Sequence, residues 1–205
     1  MSARPAAMGL FDASPWQVID DAEGGVRYWP GFAALRDVDQ WFAALLANAG
    51  WEAHRRQMYD RVVDVPRLTA TYRVDQLPDD LPLAGMLAQV QAIIPAPFNS
   101  VGLNLYRDGR DSVAMHNDKL HHLAPGQPIA LVSLGASRRM LLRPKRDPRD
   151  PGAARANAIR IELEHGSLLA MSHASQRTHE HGIPKTAGCA EPRMSVVFRV
   201  RPAPR

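Results

Sequence analysis

His116 and Asp118 stand two residues apart in the stretch Phe98 to Asp118, FNSVGLNLYRDGRDSVAMHND, and both can bind a metal. Apolar and polar residues alternate from Val101 to Tyr106, Asp108-Gly109 supplies turn chemistry, and a second short strand follows. The stretch therefore reads as a β-hairpin. Residues i and i+2 of a strand share a face, with Cα atoms about 7 Å apart, so an imidazole and a carboxylate can converge on one point. A second imidazole from elsewhere would complete the facial triad that holds non-heme Fe(II) and leaves positions open for chemistry. With eight histidines and fifteen aspartates in the chain, one H-x-D pair also arises by chance, so corroboration has to come from elsewhere in the sequence.

The C-terminal half supplies it. His173, His179 and His181 cluster in MSHASQRTHEHGIPKT, and each is a candidate third ligand. The following PRMSVVFRVRP carries Arg193 and Arg199, six apart, an even number that puts both on one face of a strand. Arginine offers a planar fork of donors suited to a carboxylate. A metal with open positions beside such a fork suits a chelating dicarboxylic acid such as 2-oxoglutarate.

The order N-x-Y, H-x-D, H-G-I-P-K and P-R-x-x-x-x-x-R resembles the AlkB-type Fe(II)/2-oxoglutarate dioxygenases. The phrases PIALVSLGASR (128–138) and IELEHGSLLAM (161–171) extend the likeness over roughly Phe98 to Arg201. The resemblance implies His116, Asp118 and His181 as metal ligands, His181 because His181-Gly-Ile-Pro-Lys matches the family phrase. It implies Arg193 as the partner of the far carboxylate of 2-oxoglutarate and Arg199 as a second arginine nearer the metal. Asn104 and Tyr106 correspond to residues that hydrogen-bond the cosubstrate. Ser195 stands at a cosubstrate position where relatives usually carry asparagine.

The implied cofactors are Fe(II), 2-oxoglutarate as cosubstrate and O2. The implied activity is a DNA repair reaction by direct reversal: oxidative demethylation of alkylated bases, of the 1-methyladenine or 3-methylcytosine type, in DNA or RNA. 2-Oxoglutarate leaves as succinate and CO2, and the methyl group as formaldehyde. Two departures bear on the substrate. Relatives that repair bases usually carry acidic residues just after H-x-D, where this chain has Lys119-Leu120-His121-His122. A glycine- and tyrosine-rich phrase common in relatives is replaced by an acidic, proline-rich turn over Gln76 to Pro82. The alternative reading keeps the chemistry and changes the substrate to a protein, a modified tRNA or a small molecule.

The elements that must position these groups follow from pattern. Trp16 to Ile19 and Val26 to Trp29 read as short strands. Asp37 looks like a helix N-cap before Val38, Trp41, Phe42, Leu45 and Leu46 at helical spacing, with Gly50 at the C-terminal glycine position. Leu83 to Ile94 reads as a second amphipathic helix ended by Pro95 and Pro97. Pro66-Arg67 and Tyr72 fall where AlkB-like proteins carry part of a nucleotide-recognition lid, although an ordinary strand with an exposed aromatic explains Tyr72 as well.

From Phe98 onward seven or eight short strands with glycine turns suggest two packed antiparallel sheets. The expected fold is α+β, mainly β: a double-stranded β-helix, or jelly roll, with N-terminal helices buttressing one sheet. One domain spans 1–205, with 1–97 carrying the helices and lid and 98–205 the catalytic core. The remaining histidines, His54, His121, His122, His165 and His173, are assigned surface, turn or core roles, and His179 could support a ligand from behind.

Net charge of +4, from twenty-two arginines and three lysines, permits contact with nucleic-acid phosphates. The insertion RPKRDPRDPGAARANA between Leu142 and Ile159 reads either as a phosphate-contacting loop or as a charged surface loop with no ligand. A single cysteine, Cys189, excludes an internal disulfide framework and fits a reducing cytoplasm. No stretch is apolar enough for a signal peptide or a membrane helix. A cytoplasmic monomer acting on nucleic acid, with no membrane contact, is expected.

Overall fold

The protein is seen here as a computed structural model that describes residues 14–58, 61–146 and 157–203. In chain order the N-terminal part comprises β1 (Trp16–Ile19), β2 (Val26–Trp29), α1 (Leu35–Asn48), β3 (Glu52–Met58), β4 (Arg61–Arg73) and α2 (Leu83–Ile93). Then follow β5 (Ser100–Tyr106), β6 (Val113–His116), β7 (Ile129–Gly135), β8 (Arg138–Pro144), β9 (Ile159–Leu163) and β10 (Ser167–Met171). A four-residue helix α3 (Ser175–Thr178) leads into β11 (His179–Ile183), and β12 (Arg193–Arg199) completes the set. The larger sheet has the order β1-β2-β10-β7-β12-β5-β4-β3 and the smaller one β6-β11-β8-β9.

Side-chain parity decides what each face of the larger sheet meets. Val101, Leu103 and Leu105 of β5 and Met194, Val196 and Phe198 of β12 point to one side, where Val38, Trp41 and Leu45 of α1 and Leu83, Met86 and Val90 of α2 close over them. Burying each such side chain is worth about 1.5–3 kcal/mol, which is what docks the two helices on the sheet. On the other side Leu131, Leu169, Met171 and Val197 meet Met140, Leu142, Ile161 and Ile183. The sheet is therefore covered on both faces, a jelly roll buttressed by helices.

Helix α1 begins at Leu35 with Ala34 as its cap residue, so Asp37 lies in the first turn and is not the N-cap. An acid there still faces the positive end of the helix dipole. At the other end Gly50 follows the cap residue Ala49, and its N–H donates to the Tyr72 hydroxyl at 2.9 Å. His165 clips the same helix to the sheet: its Nδ1 accepts from Gly135 N–H at 2.8 Å and its Nε2 lies 3.0 Å from Asp39 Oδ1.

The stretch read as a hairpin is not one. β5 pairs with β4 and β12 in the larger sheet, whereas β6 pairs with β11 in the smaller. The Asp108-Gly109 turn thus arches from one sheet to the other. Asp111 caps it by accepting the backbone N–H and the guanidinium of Arg107, at 2.8–2.9 Å. The buried Arg138 of β8 donates to the carbonyls of Asp108, Asp111 and Pro184 at 2.7–3.0 Å. A short turn can close either a ladder or an arch, and here the guanidinium reaching in from β8 holds the arch.

Leucine in place of Arg138 would take a donor from each of those three carbonyls, at about 1–3 kcal/mol for each one left unsatisfied, whereas the Asp108 carbonyl keeps the Asp111 N–H at 3.3 Å. Arg138→Leu is expected to lose about 3 kcal/mol or more of stability. Urea denaturation checks this, and an unchanged midpoint would show that the arch does not depend on Arg138.

Candidate functional site

Across the smaller sheet His181 of β11 lies opposite His116 of β6, their rings 4.5 Å apart between centroids. Asp118 follows two residues past the end of β6, outside the strand, yet its carboxylate turns back to them. One ligand atom from each of His116, Asp118 and His181 lies within 4.8 Å of the other two. The close approach has a local cause. A Cβ on Gly182 would stand 2.9 Å from the Val113 carbonyl oxygen and 3.1 Å from backbone atoms of Ala114 and Met115. Only glycine lets β11 pass this close to β6, at the irregularity between His181 and Ile183.

The electrostatics suit a divalent cation. His116 Nδ1 lies 2.9 Å from the Ala114 carbonyl, a contact that makes Nδ1 the protonated nitrogen and leaves Nε2 as a lone-pair donor. Burial, helped by the charge of His116, pushes His181 down to about 4, so its imidazole is neutral at pH 7 and has no proton to shed before binding a metal. Burial pushes the Asp118 carboxyl up, but the charge and hydrogen bond of Arg199 outweigh it and hold the group below its usual value. Arg199 Nε donates to Asp118 Oδ2 at 2.6 Å.

Beside this cluster opens a cavity of about 180 Å³ between the two sheets. Its far wall is Arg193, fully buried, which donates to the Ser133 hydroxyl at 3.2 Å and to the Ser195 hydroxyl at 3.3 Å and lies 5.2 Å from the Tyr106 ring centroid. Burial pushes its guanidinium down to about 10, partly offset by Tyr106, so it remains a cation at neutral pH. Among the described residues no carboxylate pairs with it. A buried cation lacking a counter-charge is costly, and a carboxylate entering the cavity would relieve it. The volume is below the roughly 300–1,000 Å³ of drug-sized clefts and fits a short dicarboxylate.

Asn104 and Tyr106 share the inner face of β5 and line the cavity, as do Ser195 and Arg199. Arg67 of β4 also lines it, with Nε donating to Asn104 Oδ1 at 2.9 Å. Tyr72 does not. It is an odd number of residues from Arg67, so it faces the helices, packs on their core and accepts from Gly50. Of the proposed lid residues, Arg67 reaches the cavity and Tyr72 is a buttress. His179 stays outside the cluster, 2.9 Å from Thr178 Oγ1, and so does His173, which is buried 4.0 Å from Glu23. His121 and His122 are exposed, their rings 4.2 Å apart. Most of the arginine-rich insertion, 147–156, lies outside the described residues.

The sequence reading did not single out Ser133 or Gln176. Ser133 holds Arg193, and its signal was a lone hydroxyl in the apolar strand IALVSLG. Gln176, buried on α3, accepts the Asp118 backbone N–H at 3.0 Å, and nothing local marks it.

Two outcomes follow from this geometry. Gly182→Ala must push β6 and β11 apart at backbone atoms, so it is expected to weaken Co(II) binding by tenfold or more, about 1.4 kcal/mol. Wild-type affinity in a folded Gly182→Ala protein, by calorimetric titration, would contradict this. For metal-free protein, His181 titrates near 4 folded and near 6.5 unfolded, so the unfolded chain binds more protons in between. Stability is therefore expected to fall as pH drops from 6.5 toward 4, and His181→Leu should flatten that slope. Urea melts at stepped pH check it.

The profile of the 2OG-Fe(II) oxygenase superfamily matches residues 25–199. The "Alpha-ketoglutarate-dependent dioxygenase alkB homolog 3" of Bos taurus is 35% identical over 189 residues, covering 86% of this chain and 66% of that protein. The "DNA oxidative demethylase ALKBH2" of Homo sapiens is 31% identical over 180 residues, covering 82% and 66%. This chain thus spans about two thirds of the length of those curated relatives. Among solved structures, OsALKBH1 superposes with a TM-score of 0.58 at 15% identity, covering 86% of this chain and 97% of that one. The non-heme alpha ketoglutarate dependent epimerase SnoN superposes at 0.55, also at 15% identity, covering 87% and 81%, and shows the same fold. With the superfamily profile running from the turn before β2 to the last residue of β12, and with alkB homologues alike over most of its length, this chain belongs to the AlkB-like 2OG-Fe(II) oxygenases.

Proposed function

We propose that this chain is an Fe(II)- and 2-oxoglutarate-dependent oxidative demethylase of alkylated bases, of the 1-methyladenine or 3-methylcytosine type, in DNA or RNA. The observation that carries the reading is a single cavity joining the imidazole–carboxylate cluster to a buried guanidinium that no carboxylate pairs among the described residues. The names of the relatives, an alpha-ketoglutarate-dependent dioxygenase and a DNA oxidative demethylase, support the chemistry and the nucleic-acid substrate.

His116 Nε2, an Asp118 oxygen and the His181 imidazole would hold Fe(II), the donor set such sites use. Arg193 binds the far carboxylate of 2-oxoglutarate, steadied by Ser133 and Ser195. The Asn104 amide, oriented by Arg67, and the Tyr106 hydroxyl bind the cosubstrate along its length. Arg199 fixes the Asp118 carboxylate. Bound there, Fe(II) and 2-oxoglutarate would supply O2-dependent hydroxylation of an N-methyl group, with succinate and CO2 as coproducts and formaldehyde released from the hydroxymethyl base.

The chain's own part is positioning and exclusion of water by Leu131, Met140, Met171, Ile183 and Val197 around the cavity. A base must be flipped out of a duplex, or already single-stranded, to reach the mouth. One domain performs this, with 98–205 as catalytic core and 1–97 as helical buttress and lid, and it works as a cytoplasmic monomer. No described helix is long and apolar enough to cross a membrane. Lys119-Leu120-His121-His122, which puts an exposed lysine and two exposed imidazoles instead of acids next to Asp118, favours a second reading in which the same chemistry acts on a protein, a modified tRNA or a small molecule.

Incubated with Fe(II), 2-oxoglutarate and oligonucleotides bearing 1-methyladenine or 3-methylcytosine, the protein is expected to release formaldehyde, and His181→Ala is expected not to. Succinate formed with a nucleic-acid-free extract, without formaldehyde from any methylated oligonucleotide, selects the second reading. Arg193→Met is expected to raise the KM for 2-oxoglutarate by at least about 30-fold, the lower end of what losing one partner of a buried charge pair costs. An unchanged KM would exclude Arg193 from cosubstrate binding.

A further inference from the structure

We infer that Gln176 is a positioning residue of the metal centre that sets where the Asp118 carboxylate stands. The inference rests on the reading of His116, Asp118 and His181 as the iron ligands. Asp118 lies past the end of β6, so no strand partner receives its backbone N–H. That N–H donates to Gln176 Oε1 at 3.0 Å, from a side chain only 1% exposed. Gln176 belongs to α3, the turn that delivers β11 and with it His181. One side-chain amide therefore ties the segment bearing the carboxylate to the segment bearing the imidazole.

The amide is itself held in place. Its Nε2 donates to Ser175 Oγ at 3.2 Å and lies 3.8 Å from Met171 Sδ. Its backbone carbonyl accepts Lys145 Nζ at 2.7 Å. Ser175 N–H donates to Ser172 Oγ at 2.9 Å, and that hydroxyl donates to Asp21 Oδ2 at 2.6 Å in the β1–β2 turn. The aim of Oε1 is thus fixed by a buried network before any ligand arrives. Arg199 grips the carboxylate at Oδ2 and Gln176 grips its backbone, so Asp118 is held at two points, from β12 of the larger sheet and from α3. Burying an amide costs free energy unless its hydrogen bonds are made, and Gln176 makes one of its bonds to the Asp118 N–H.

The test uses the metal-free full chain titrated with Co(II), reading the dissociation constant and the visible absorption of the bound ion. Gln176→Met keeps the length of the side chain and loses the acceptor, whereas Gln176→Glu keeps an acceptor oxygen. Gln176→Met is expected to bind Co(II) about 10–100-fold more weakly, with an altered spectrum, and Gln176→Glu to remain within about threefold of wild type. Wild-type affinity and spectrum in Gln176→Met, or an equal loss in Gln176→Glu, overturns the inference. Should Gln176→Met fail to fold, Gln176→Asn, which withdraws the amide by one methylene, takes its place with the same expected loss. If the wild-type protein itself does not bind Co(II), the iron-site reading fails instead.

Discussion

A slip of one residue in β12 would exchange everything its two faces carry. Arg193, Ser195 and Arg199 would turn into the helix layer, and Met194, Val196 and Phe198 would enter the cavity. The register that prevents this is set on both sides at once, since β12 lies between β5 and β7 and pairs with each along nearly its whole length. Each even-numbered residue is pinned by apolar contacts beneath α1 and α2. The chemistry of the odd-numbered face therefore rests on hydrophobic burial on the even-numbered one. The same rule sorts β5, where Leu103 and Leu105 face the helices while Asn104 and Tyr106 face the cavity.

Charge is distributed in keeping with that arrangement. The larger sheet contributes Arg67, Arg193 and Arg199 to the cavity, and the smaller side contributes the imidazoles and Asp118. Arg199 and Asp118 neutralise one another across the gap between sheets. Arg193 is left as a cation facing an enclosed space, so the cavity selects for anions before any metal is considered. The arch held by Arg138 has a related effect, because it lets the chain leave one sheet at Tyr106 and return in the other carrying His116.

Much of this was legible in the sequence because strand parity is local. The polar insets at Asn104, Arg193 and Arg199 stand out against apolar neighbours, and the spacing of H-x-D and H-G-I-P-K survives in linear text. What escaped was decided by partners distant in the chain. Asp108-Gly109 looks alike in a hairpin and in an arch, and Arg138, thirty residues on, makes the difference. Asp37 has the chemistry of a cap, yet the helix starts two residues earlier, at Leu35. Tyr72 could be assigned only by counting its parity from Arg67, and Gln176 carries no mark of its own in a polar turn.

The strand that brings Arg67 over the cavity is no free flap. Residues 68–73 of β4 are laddered to β5, with Leu68 opposite Leu105 and Arg73 opposite Ser100, and Tyr72 is bolted to the end of α1 through Gly50. Arg67 springs from the last fixed rung of that ladder. Its reach into the mouth is therefore a constant of the scaffold, like a caliper jaw set to one gauge. The guanidinium it carries lines the cavity and donates to Asn104 Oδ1, so the ladder anchors a cation at that edge of the site.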